Sequence, residues 1–125
     1  MIKKFRFRQF PIYKDSLEFR KGIKTITKKK FPKEEQFCLI SQIWRALDSI
    51  ILNVAERSDR STDKDFAHYL NTAHTSLNEV VGCLDAAFQD NYIMEAELNT
   101  YLAEAEKLAN QLTAFRKLLL NNPTK

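Results

Sequence analysis

Residues 33–57 read KEEQFCLISQIWRALDSIILNVAER, and their apolar spacing decides the fold. Ile40, Ile43, Leu47, Ile50 and Val54 step by 3, 4, 3 and 4, the spacing that lines one face of an α-helix and no face of a strand. Glu34 and Glu35 stand in the first turn, where negative charge suits the helix dipole. A helix over about 33–57 is predicted. Working outward, three more segments carry the same period. Ile12, Phe19, Ile23 and Ile26, with Ser16 in the gap, predict a helix over about 11–29, with Pro11 tolerated in its first turn. Phe66, Leu70, Ala73, Leu77, Val80, Leu84 and Ala87 predict one over about 62–90, capped by Ser61 or Thr62. Leu98, Tyr101, Ala105, Leu108, Leu112, Phe115 and Leu119 predict a fourth over about 94–120. Short polar connections between long helices make neighbours antiparallel. The expected fold is therefore all-α: a single-domain, up-down-up-down four-helix bundle over 1–125, preceded by a basic arm at 1–10.

Composition narrows the function. With 44% hydrophobic and 29% charged residues the chain has the balance of a globular protein. Two glycines and three prolines leave little room for a many-turned β-fold or a glycine-rich phosphate loop. Cys38 and Cys83 lie far apart without histidines at ligand spacing, so free thiols and a reducing, cytoplasmic setting are expected. No apolar run approaches the ~18 residues of a membrane span, and the N-terminus lacks the apolar core of a signal peptide.

Charge is the strongest functional signal. The net charge is +4, but residues 1–30 hold 11 Lys or Arg against 2 Asp or Glu, while residues 31–125 hold 9 against 14. Lys14, Lys21, Lys24 and Lys28 fall within an arc of about 80° on the first helix, opposite its apolar face. Lys3, Lys4, Arg6 and Arg8 precede it, with Phe5 and Phe7 interleaved. Such a surface offers phosphate contacts and stacking platforms for RNA or DNA. A solvated helix face, with Phe5 and Phe7 tucked against the bundle end, is the plainer reading.

The far side of the second helix carries Cys38, Gln42, Arg45, Ser49, Leu52, Asn53 and Glu56, with no lysine. A solvated face is normally rich in Lys and Glu. The strip is either weakly charged but wet, or a subunit interface in which Gln42, Arg45, Ser49, Asn53 and Glu56 bond across to another chain. The interface reading is favoured, with Arg45 pairing Glu56 or Asp48 of a neighbour. A di-iron site would need Glu from two helices and Glu-x-x-His on two more. Only Asp65-x-x-His68 comes near that pattern, so no metal and no cofactor are expected. No nucleophile motif or acid–base pair stands out, and no catalytic residue is assigned.

Several motifs carry a resemblance. Phe31-Pro32-x-x-Glu35 leads into Leu39-x-x-Gln42-x-x-Arg45-Ala46-x-x-Ser49-Ile50-x-x-Asn53-Val54-Ala55-Glu56. Ser61-x-x-Lys64-Asp65-Phe66, Ala73-x-x-Ser76-Leu77-x-Glu79 and Tyr92-Ile93 follow. This pattern resembles the four-helix-bundle family of 23S rRNA intervening-sequence proteins, and a related branch, the accessory variability protein of diversity-generating retroelements. Arg57 stands where that family usually has Gly, and Thr75 where it often has Gly. The resemblance implies a bacterial cytoplasmic protein, a ring-like homopentamer, and nucleic-acid association or service as an adapter for a reverse transcriptase. It implies no assigned activity for most members. A purely structural oligomer, basic face against acidic neighbour, is the third reading.

Overall fold

The computed structural model describes residues 5–56 and 62–121. Four helices account for most of them: α1 (Pro11–Lys30), α2 (Leu39–Glu56), α3 (Asp63–Gln89) and α4 (Glu95–Asn121). Short 3-10 turns at Arg6–Gln9 and Lys33–Glu35 precede α1 and α2. No strand occurs among the described residues. The helices pack in chain order, the backbone of each lying closest to the two beside it and the diagonal pairs farther apart across the core. Cross-links fix the directions: Thr27 meets Trp44 while Arg20 meets Asp48, and Gly22 meets Tyr101 while Asp15 meets Gln111. Neighbours are antiparallel, and the bundle runs up-down-up-down.

The four stripes close on one core. Phe19, Ile23, Ile43, Leu47, Ile50, Leu70, Leu77, Leu84, Leu108 and Leu112 are all below 2% exposed or nearly so. Burial on this scale is what holds helices whose individual propensities would leave them marginal in water. At one end Phe10 packs with Phe66 and Phe115, ring centroids 6.1 and 5.3 Å away. The chain before α1 is thereby tied to the start of α3 and the end of α4.

The ends of the helices follow local chemistry. Thr62 caps α3, its hydroxyl accepting from the Asp65 N–H at 3.1 Å; the alternative cap, Ser61, lies outside the described residues. The end of α3 is a Schellman turn. Asn91 sits at φ 65°, the Tyr92 N–H donates to the Ala87 carbonyl and the Asn91 N–H to that of Phe88. Asn is among the few side chains that tolerate that left-handed position. Glu97 reaches back to the Met94 N–H at 2.8 Å and starts α4.

The second helix begins later than its sequence suggests. Residues 33–38 are not α-helical; α2 starts at Leu39. The reason is Glu35, whose carboxylate accepts from the Leu39 N–H at 3.2 Å and from the Tyr92 hydroxyl at 2.7 Å. One side chain thus caps α2 and pins the α3–α4 connection, with Phe31 against the Tyr92 ring at 5.6 Å. The bond to Glu35, aided by burial and the charges of Glu35, Asp90 and Glu34, pushes the Tyr92 phenol up to about 12. The folded chain holds this proton more tightly than the unfolded chain does. The stability it contributes is therefore complete below about pH 10 and lost as pH rises towards 12. In urea titrations, the stability gap between the parent and Tyr92→Phe should stay constant from pH 7 to 9 and close above 10. A gap unchanged at pH 11.5 would refute the link.

Candidate nucleic-acid interface

Two sets of polar residues were read from the sequence, and the structure sorts both. On α2 the supposed outer face is divided. Ser49 bonds Ser76 of α3, oxygen to oxygen at 2.7 Å. Asn53 donates to the Ser49 carbonyl at 2.8 Å and to its hydroxyl at 3.0 Å. Gln42 reaches Glu79 at 3.5 Å. Ser49 and Asn53 are therefore half-buried at the α2–α3 seam of the chain, whereas Gln42 stays exposed at its rim. The cause is geometric: a helix with a partner on each side is covered over more than its apolar stripe, and small polar residues fill the flank. Arg45, Leu52 and Glu56 stay exposed. Asp48, read as a partner for a neighbour's Arg45, instead takes Arg20 of α1 at 2.7 Å.

The basic set is likewise divided. Lys3 and Lys4 lie outside the described residues, as do Arg57 and Arg60. Arg6 and Arg8 are exposed on the turn before α1. Beside them Phe7 packs edge-on against Tyr13 at 4.9 Å, while Phe5 stays 52% exposed. Lys14, Lys21 and Lys28 are exposed along α1. Lys24 is half-buried, its Nζ 4.4 Å from the centre of the Trp44 ring, with Lys28 at 5.7 Å. These are cation–π distances. The Trp44 N–H donates to the buried Thr27 hydroxyl at 2.8 Å, and that hydroxyl donates to the Lys24 carbonyl. The indole is thus held in one orientation beneath the two ammonium groups. Lys30 pairs with Glu97 at 3.5 Å and points another way.

Trp44 forms part of a groove of about 560 Å³ between the end of α1 and the start of α2. Lys28, Lys33 and Arg45 stand around it, and Phe37, 86% exposed, lies at its edge. The sequence reading placed Trp44 beside the apolar stripe and passed over Phe37 and Lys33. Spacing did not reveal Phe37, since three residues before Ile40 it continues the inward stripe of a helix, and it is exposed because residues 33–38 are not α-helical. Nor did it reveal the role of Trp44, because which neighbour that ring faces depends on the hand of the bundle.

The motif residues now have positions. Phe31, Glu35 and Tyr92 lock one end of the bundle, and Ser49, Asn53 and Ser76 lock the α2–α3 seam. The sequence profile of the 23S rRNA-intervening sequence protein family matches residues 8–114. The chain belongs to that family. A crystal structure from the S23 ribosomal protein family, of a Bacteroides thetaiotaomicron protein with unknown function, superposes with a TM-score of 0.75. It is 25% identical, and the match covers 85% of this chain and 95% of that one. No curated protein matches the chain. Within this member of the family, Thr75 is exposed and bonds the Asn71 carbonyl of its own helix, so it leaves the seam to Ser76. The sequence pattern that marks the family, where its side-chain contacts are seen, mostly holds the bundle together.

Among the described residues no three His, Cys, Asp or Glu side chains gather to hold a metal. His68 is exposed beside Tyr69, and His74 is half-buried. Cys38 is exposed and Cys83 buried, both as free thiols. No helix of the described residues is long and apolar enough to cross a membrane.

Proposed function

We propose that this chain is a non-enzymatic RNA-binding protein that acts as a homo-oligomer. The observation that carries the reading is the exposed cation row of Lys14, Lys21 and Lys28 on α1, joined by Lys24 above Trp44. Flexible ammonium groups suit phosphates and read bases poorly, so binding is non-selective in sequence and sensitive to salt. Oligomerisation repeats the row and multiplies its effect. With Ser49 and Asn53 half-buried and bonded within the chain, the exposed surface of α2 offered to a neighbour is Gln42, Arg45, Leu52 and Glu56, where Leu52 is 60% exposed.

The test is binding of a structured RNA across a range of salt, with Lys14, Lys21, Lys24 and Lys28 all replaced by Gln. Each phosphate contact contributes about 0.7–0.9 to the slope of log affinity against log salt, so losing four should lower it by about 3. Unrelated RNA sequences should lose affinity by similar factors, and helicity should be unchanged. An unaltered slope would remove α1 from the interface. Light scattering tests the assembly: a mass near 14.6 kDa at micromolar concentration would refute it.

A further inference from the structure

We infer that the groove between α1 and the start of α2 is a site for an unpaired nucleobase of single-stranded RNA, with its flanking phosphates. This rests on the RNA-binding reading and specifies which form of RNA the surface selects. Three features of the groove converge on that ligand. The first is an aromatic ring without cover: Phe37 is 86% exposed, on the turn that Glu35 holds in place. A single exposed apolar side chain is unremarkable by itself. Here it borders an apolar floor of Phe31, Ile40 and Trp44, which gives a flat base a surface to lie on and a wall to meet. The second is a ring of positive charge. Lys28, Lys33 and Arg45 line the groove, and Lys24 stands over Trp44. The one carboxylate in the lining, Asp48, is neutralised by Arg20 at 2.7 Å. Such a groove favours an anion attached to an aromatic plane over an apolar peptide or an acidic helix alone. The third is rigidity. Trp44 is tied to Thr27, whose hydroxyl is itself bonded, so the floor needs no ordering when a ligand arrives.

Duplex RNA cannot stack a base in this site, because its bases are paired and stacked on one another and show only their edges in the minor groove. A duplex meets the cations alone; a single strand meets the cations and the ring. The volume, about 560 Å³, falls in the range of small-ligand sites.

The experiment uses the full chain and two probes, oligouridylate and a blunt RNA duplex with the same number of phosphates, at one salt concentration. Trp44 is the only tryptophan, so its fluorescence reports directly on the groove. Oligouridylate should quench it and the duplex should do so much less. Stacking on an aromatic side chain contributes about 1–3 kcal/mol per base, so Phe37→Ala should lower the ratio of single-strand to duplex affinity about 5- to 150-fold. Phe37→Tyr should restore it. Circular dichroism of Phe37→Ala should match the parent, since the ring supports no core. If the parent binds both probes and Phe37→Ala leaves their ratio unchanged, the groove is not a base site and the RNA-binding reading stands without it. If the parent binds neither probe, that reading falls and takes this one with it. If Phe37→Ala lowers the mass seen by light scattering while sparing the affinity ratio, a second copy of the chain fills the groove, and the inference is overturned.

Discussion

Phe66→Ala lowers the stability of the chain by about 3–5 kcal/mol, the usual range for deleting a buried aromatic ring. Phe66 is 4% exposed, and its ring packs against Phe10 at 6.1 Å and Phe115 at 5.3 Å. Truncation removes one side of a three-ring cluster that ties the chain before α1 to α3 and α4. Beyond the buried area, the edge-to-face contact with Phe115 is lost. Urea denaturation should show a lower midpoint at unchanged slope. Because the three rings share contacts, Phe66→Ala and Phe115→Ala should cost less together than the sum of their separate effects. A loss below about 1 kcal/mol for Phe66→Ala would mean that this end of the bundle is open to water.

Leu77→Ala should cost about 2–5 kcal/mol, and Leu108→Ala a similar amount. Each side chain is 2% exposed, Leu77 on α3 and Leu108 on α4. Leu77 stands one residue after Ser76, whose hydroxyl meets Ser49. A void at Leu77 therefore sits beside a polar contact that depends on close helix approach. Losses below about 0.5 kcal/mol in chemical denaturation would show that the stripes do not share one core.

The same residue, Ser76, shows how far the sequence could be read. Its place in α3 followed from the apolar period around it, and so did its neighbour's burial. Its partner did not. Ser49 lies on the side of α2 away from the centre of the apolar stripe, and on a helical projection it looks outward. A projection treats each helix as facing one core, whereas a helix in a bundle also faces two flanking helices. Trp44 shows the same limit on the opposite flank. Only when α1 lies against that flank do Thr27, Lys24 and Lys28 come within reach of the indole. Glu35 misled in another way. Acidic residues in a first helical turn are ordinary, and nothing local announces that this carboxylate serves Tyr92, 57 positions away.

The sequence by itself determined that this protein is four antiparallel helices, which residues point inward, and that its positive charge is gathered on the first helix. Each of these is set by side-chain spacing along one segment, because a period of 3.6 residues selects one face without reference to any other part of the chain. The tertiary structure alone decided which neighbour covers each flank of a stripe, and hence what the polar residues there do. That choice depends on the hand in which the bundle closes. Reversing the hand keeps every inward stripe inward but exchanges the helices on either side of α2. Closed as it is, the bundle gives Ser49 and Asn53 to the α3 seam and sets Trp44 beneath the lysines of α1.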